Sequence, residues 1–135
     1  RVHNMKQRHP FKIVKGAIIV ATSIRGVKKD YEAKLILDTG ASKTVIAPSI
    51  AQSAGAQRLS FGKQAMTTAS GTIDVDTFQL DSFLAIGLLR RNFPVACHEL
   101  PLAFTALGIQ GLLGLDFIYQ KEICIDMRKK LISLI

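Results

Sequence analysis

Residues 35–46 read LILDTGASKTVI. Three aliphatic side chains lead into a carboxylate, a hydroxyl and a glycine, and a second apolar pair, Val45-Ile46, closes the stretch. Upstream, Tyr31, Ala33, Leu35 and Leu37 alternate with Glu32, Lys34 and Ile36, which predicts a strand that starts half-exposed and ends buried at Asp38. A carboxylate at the end of a buried strand loses hydration, and its pKa rises unless partners stabilise the charge. Chains keep such a group mainly where it works or is paired. Gly40 permits positive φ or the close approach of another backbone, and Ala41 and Ser42 keep the surroundings small. On its own, Asp-Thr-Gly is also a common exit from a strand into a turn, so the flanking sequence has to decide between the two.

Strand patterns dominate those flanks. Residues 13–24 (IVKGAIIVATSI) are β-branched and apolar without a helical stripe, and residues 26–30 read as a turn. Residues 48–55 (PSIAQSAG) predict one short helix, with Pro48 in its first turn and Gly55 at its end. Ile73 and Val75 interleave with Thr72, Asp74 and Asp76 as one arm of a hairpin. Thr67, Thr68, Ala69, Ser70 and Gly71 form its tip. Gly87 opens another turn, and residues 92–100 read as a strand, placed at an edge by Pro94. Gly108 and Gly111 lead into GLLGLDFI (111–118), with a helical turn expected around residues 116–120. EICIDM and LISLI then close the chain as a hairpin. Strand, Asp38-Thr39-Gly40, helix and strand in the first half are echoed by Leu112-Leu113-Gly114, helix and strand in the second, which suggests two related halves.

The 135 residues fit one domain with one core. Apolar residues make up 48% and aromatics 7%, with no Trp, so aliphatics must fill the interior. Charged residues at 21% exclude a disordered chain. The net charge is +8, with Arg1, Lys6 and Arg8 concentrated in a basic arm over residues 1–12. Such an arm suits an anionic surface, but a solvated terminus is the simpler reading. Two cysteines are too few for a disulfide scaffold, and they fit a reducing, cytoplasmic compartment. No signal peptide is visible. The chain begins with Arg1, so a fragment or processed product is expected. The apolar stretch 100–115 is interrupted by Pro101 and three glycines and is shorter than the roughly 20 residues of a spanning helix.

Taken together, LILDTGASKTVI and the distal GLLGLDFI resemble the retropepsin-like aspartic proteases, in particular their single-domain bacterial and archaeal members. The ending ICIDMRKKLISLI is similar to the protease domain of eukaryotic ubiquitin-shuttle proteins. The resemblance covers residues 13–135. It implies an all-β, closed barrel with one or two short helices and pseudo-two-fold halves. It also implies a homodimer in which each chain contributes one aspartate. Only one Asp-Thr-Gly occurs here, so the chemistry, which needs two facing carboxylates, requires a second copy. The implied catalytic residues are Asp38, Thr39 and Gly40. Ala41 and Ser42, with the hairpin tip Thr67–Gly71 as a flap, would hold a polypeptide substrate. Leu112, Leu113 and Gly114 would support the loop. No metal or cofactor is implied, no nucleic acid is expected, and a membrane partner is not expected for this segment. Viral members often carry an acidic residue at the position of Ser42 and an Arg at that of Leu115, so that ionic support is missing here. The strand LISLI is then a candidate for intersubunit sheet. The competing reading is a catalytically silent dimer of the same fold that binds protein, nucleic acid or a membrane surface.

Other clusters carry less. Cys97 and His98 are adjacent on a strand and point to opposite faces, so they cannot easily pair for catalysis. No Cys/His spacing suits zinc, and the glycines of 108–114 lack the Lys-Ser/Thr ending of a phosphate loop. Asp74, Asp76 and Asp81 read as solvated residues, and Arg90-Arg91 as a turn surface.

Overall fold

The computed structural model describes residues 7–59, 62–68 and 71–135. The first half contains strands β1 (His9–Pro10), β2 (Lys12–Val14), β3 (Ala17–Arg25), β4 (Asp30–Leu37) and β5 (Val45–Ile46), then helix α1 (Pro48–Ala54) and β6 (Gln57–Arg58). There follow β7 (Gln64–Thr68), β8 (Gly71–Ala85), β9 (Leu88–Cys97), α2 (Leu102–Thr105), β10 (Ile109–Leu113), α3 (Leu115–Ile118), β11 (Ile123–Asp126) and β12 (Leu131–Leu134).

Six strands close into a barrel. β3 pairs with β4, β4 runs parallel to β10, and β10 pairs with β5. β5 runs parallel to β9, β9 pairs with β8, and β8 returns to β3. Closure leaves these strands few free edges. β7 folds onto the first part of β8 as a projecting hairpin, with Gln64 opposite Val75 and Thr68 opposite Gly71. A separate three-stranded sheet has the order β1-β12-β11.

The sequence dictates the turns that make this possible. Lys15 and Gly16 have φ of 50° and 77° between β2 and β3, and Ile86 and Gly87 have φ of 50° and 72° between β8 and β9. Two left-handed residues in succession form the turn that matches strand twist. Ile86 is unusual there, because a β-branched residue resists positive φ, but its side chain is buried and held by the core. Helix α1 ends at Gly55, whose φ is 78° and whose N–H donates to the carbonyls of Ala51 and Gln52.

The core is aliphatic around a small aromatic cluster. The rings of Phe83, Phe93 and Phe117 lie 5.2–5.9 Å apart, and Ile24, Leu35, Ile46, Leu80 and Leu113 are fully buried beside them. Each such side chain contributes about 1.5–3 kcal/mol through burial.

The all-β closed barrel is as the sequence suggests, with three departures in detail. A third helix, α2, is present. Pro94 faces Gln79 of β8, and β5 reaches only Ala96 and Cys97 of β9, so β9 is an edge at Pro94 and internal from two residues later. LISLI supplies the middle strand of its sheet, with Leu131 and Ile132 paired on both sides; the open edges are β1 and β11. Within residues 7–12, β1 pairs with β12 and Phe11 is buried in the core.

Candidate active site

Asp38 is the first residue beyond β4. Its N–H donates to the Leu113 carbonyl at 2.9 Å, so the loop hangs from the end of β10. The Asp38 carbonyl accepts from Ala41 N–H, and its carboxylate oxygen Oδ1 accepts from Gly40 N–H at 2.9 Å. This tight turn brings the chain around the carboxylate. The side chain is half-buried, while Thr39 and Gly40 are exposed. Within one chain the carboxylate is therefore less desolvated than the buried strand suggests. Ala41 is buried and Ser42 exposed.

Leu112 and Leu113 lie beside Ile36 and Leu37 in the parallel pairing of β10 with β4. Leu113 is fully buried, whereas Leu112 is half-buried against a small cluster containing Val45, Met66 and Val75. Gly114 permits the loop crossing that follows. A Cβ there would stand 2.5 Å from the Lys43 carbonyl carbon and 2.9 Å from the Ala41 oxygen, so no larger residue fits without backbone movement. Leu115 N–H donates to the Ala41 carbonyl at 2.9 Å.

Asp116 is the residue that motif reading passed over. One of its oxygens, Oδ1, accepts from both the Thr44 N–H at 2.9 Å and the Thr44 hydroxyl at 2.7 Å. The same hydroxyl oxygen accepts from Gly114 N–H at 3.1 Å. The two loops are thus cross-braced by a carboxylate, a hydroxyl and backbone amides. This network supplies loop support of a kind not expected from Ser42 and Leu115. Burial pushes the Asp116 carboxyl up from its ordinary pKa, and the Thr44 hydrogen bonds oppose that rise. The available signal was the position of Asp116 two residues after Gly114, in the half that echoes the Asp38 loop.

The hairpin tip is only partly described. Thr67 and Gly71 are exposed, Thr68 ends β7 opposite Gly71, and Ala69 and Ser70 lie outside the described residues. Gly71 has φ of 123°, open to glycine and strained for other residues. At the hairpin base, Lys43 Nζ donates to Gln64 Oε1 at 2.9 Å, which ties the Asp38 loop to β7.

Among the described residues no cluster of His, Cys, Asp and Glu could hold a metal ion. Cys97, the last residue of β9, is buried, and His98, just beyond the strand, is exposed. Burial, aided by Asp76, pushes the Cys97 thiol up to about 12. Arg90 and Arg91 lie within β9, paired with Phe83 and Ser82 of β8, and not on a turn. The Arg90 guanidinium donates to the Phe117 carbonyl at 2.7 and 3.0 Å and to the Tyr119 carbonyl at 3.2 Å, capping the end of α3. No helix among the described residues is long and apolar enough to cross a membrane.

Residues 20–117 match the family model described as aspartyl protease. Among solved structures, the chain is similar to a retropepsin-like aspartic protease from Rickettsia conorii, with a TM-score of 0.63 and 19% sequence identity. That match covers 95% of this chain and 90% of the other. No curated protein matches the sequence. The structural likeness, at this identity, is one of fold, and the family match spans the Asp38 loop, the hairpin and the Gly114 crossing alike. The chain belongs to the aspartyl protease family.

Proposed function

We propose that the protein is an endopeptidase that works as a homodimer, with Asp38 of each copy facing the other. The observation that carries this reading is the Asp38 loop. It is hung from Leu113, braced through Thr44 and Asp116, and presents Thr39 and Gly40 on an exposed surface. A second copy would cover that surface and supply the second carboxylate.

Two like charges a few ångströms apart cannot both ionise, so the pair would share one proton. The ionised Asp38 takes a proton from a bound water, which attacks the scissile carbonyl. The protonated Asp38 of the other copy polarises that carbonyl oxygen. The tetrahedral diol then collapses as a proton passes to the leaving nitrogen. The two apparent pKa values belong to the pair. Thr39 and Gly40 form the contact between the loops. Ala41 and Ser42 hold extended substrate backbone, and Thr67, Thr68, Ala69, Ser70 and Gly71 close over it and exclude water. Leu112, Leu113 and Gly114 hold the loop from beneath.

The test compares the protein with Asp38→Asn on an unfolded protein substrate between pH 4 and 7. Cleavage by the parent alone, blocked by a statine-type transition-state mimic, is expected. Equal inertness of both proteins in a confirmed dimer would overturn the enzyme and leave a binding module.

A further inference from the structure

The root of the β7–β8 hairpin packs in a small core of its own. Met66 is buried with Val45, Val75 and Ala96, and Ile73 and Leu112 pack against them. Met66 and Ile73 stand opposite each other in the hairpin. Val45 closes the Asp38 loop and Leu112 leads into Gly114, so the hairpin shares this core with the two crossing loops. Among the described residues β7 pairs only with β8. A two-stranded hairpin is marginal by itself, so its position depends on what holds the root. Apolar packing around Met66 is non-directional and fixes no orientation.

The directional tie is one polar bond. Lys43 Nζ donates to Gln64 Oε1 at 2.9 Å, in a partly buried setting. The Lys43 end is firmly seated. Its backbone lies against Gly114, and the next residue, Thr44, is bound through its N–H to Asp116. The Gln64 end sits on β7 opposite Val75. A second tie, from Arg58 and Lys63 to Asp76, lies at the surface, where solvent screens the charges and such pairs contribute little.

We propose that Lys43 is a positioning residue for the peptidase reaction: by holding Gln64 it fixes the root of the β7–β8 hairpin relative to Asp38, and so sets how the hairpin holds substrate against the carboxylate. The proposal rests on the peptidase reading for its reaction, whereas the tie between loop and hairpin is independent of it. Lys43 performs no chemical step. Its effect passes through Gln64, and small misplacements of a bound substrate are costly in rate.

The experiment measures amide hydrogen exchange in peptides covering residues 64–68, and kcat/KM on a peptide substrate, in the parent and its variants. Exchange in β3 and β4 confirms that the barrel is intact in each. Lys43→Met and Gln64→Leu should each speed exchange in residues 64–68 by about threefold to tenfold, and the double variant no more than either alone. Lys43→Arg keeps a donor and should restore protection. Gln64→Glu makes the bond charge-assisted and should slow exchange, but only where Lys43 is present. Because the Lys43 charge also acts on Asp116, the Gln64 variants isolate the bond itself. The loss in kcat/KM should follow the same order. Additive effects, or exchange indifferent to both residues, overturn the tie and leave the peptidase standing. Coupled exchange with cleavage that does not follow it overturns the positioning role alone. Coupled exchange in a parent that cleaves nothing overturns the peptidase reading and the positioning role together.

Discussion

At the scale of single residues, Asp116 shows how one side chain can hold a loop it does not belong to. It accepts two hydrogen bonds from Thr44, 72 positions earlier in the chain. Asp116→Ala strands the Thr44 N–H and hydroxyl in a buried setting and should cost about 1–3 kcal/mol in denaturant unfolding. Asp116→Asn keeps an acceptor oxygen and should cost much less. The two variants also separate support from charge. Because burial raises the carboxyl's pKa in the folded state, the folded chain binds that proton more tightly than the unfolded one. Its contribution to stability is therefore greatest below the ordinary value of 3.8 and declines as pH rises through that value to the raised one. Asp30, Asp76 and Asp126 are held low, chiefly by Arg25, Arg58 and the Lys129 N–H, and act in the opposite sense. The difference in stability between parent and Asp116→Asn isolates the contribution of Asp116, and it should shift toward the Asn variant as pH rises across that window. A difference independent of pH would contradict the assignment. Cys97, with its thiol pushed up to about 12, should resist iodoacetamide at neutral pH until the chain unfolds, as peptide mapping after labelling would show.

Among the elements, the loops that cross at the candidate site depend on Gly114 and Arg90. Gly114→Ala places a methyl against the backbone of Lys43 and Ala41 and should destabilise the fold by about 1–3 kcal/mol. Arg90→Ala removes the donors that satisfy the Phe117 and Tyr119 carbonyls and should cost about 1–2 kcal/mol, seen as a lower denaturation midpoint at unchanged slope. These dependences also explain what sequence could disclose. The strand into Asp38, helix α1 between Pro48 and Gly55, and the β7–β8 hairpin are written in local signals: alternation, a proline at a helix start, residues that accept tight turns. Helix α2 has only Pro101 at its start as such a signal, because Leu102, Ala103, Phe104 and Thr105 show neither a side-chain cap nor a buried face. The Thr44–Asp116 brace and the capping by Arg90 are contacts across the chain, and no periodicity reports them. Pro94 shows the intermediate case. Its missing N–H correctly marked an edge, but nothing local says that β5 docks on the same strand two residues later.

For the whole molecule, the proposed two-chain site makes a second copy the component to test. The open edges of the β1-β12-β11 sheet, together with exposed Ile125, Met127 and Ile135 nearby, are surfaces that such a copy could cover. The decisive property is arithmetic. If each active site takes one Asp38 from each of two chains, a mixed dimer of parent and Asp38→Asn holds one carboxylate and lacks the shared-proton pair. Mixing equal amounts under conditions that let subunits exchange leaves about one quarter of the dimers with both aspartates. Activity should then fall to about half that of the same amount of parent alone. A chain that carried its whole catalytic apparatus by itself would lose nothing in the mixture. The folded state of the dimer should also be favoured by concentration, so the midpoint of thermal unfolding should rise as protein is added. Activity unchanged by the inactive variant, measured where exchange is verified with differently tagged chains, would remove the two-chain site and with it the role assigned to Asp38.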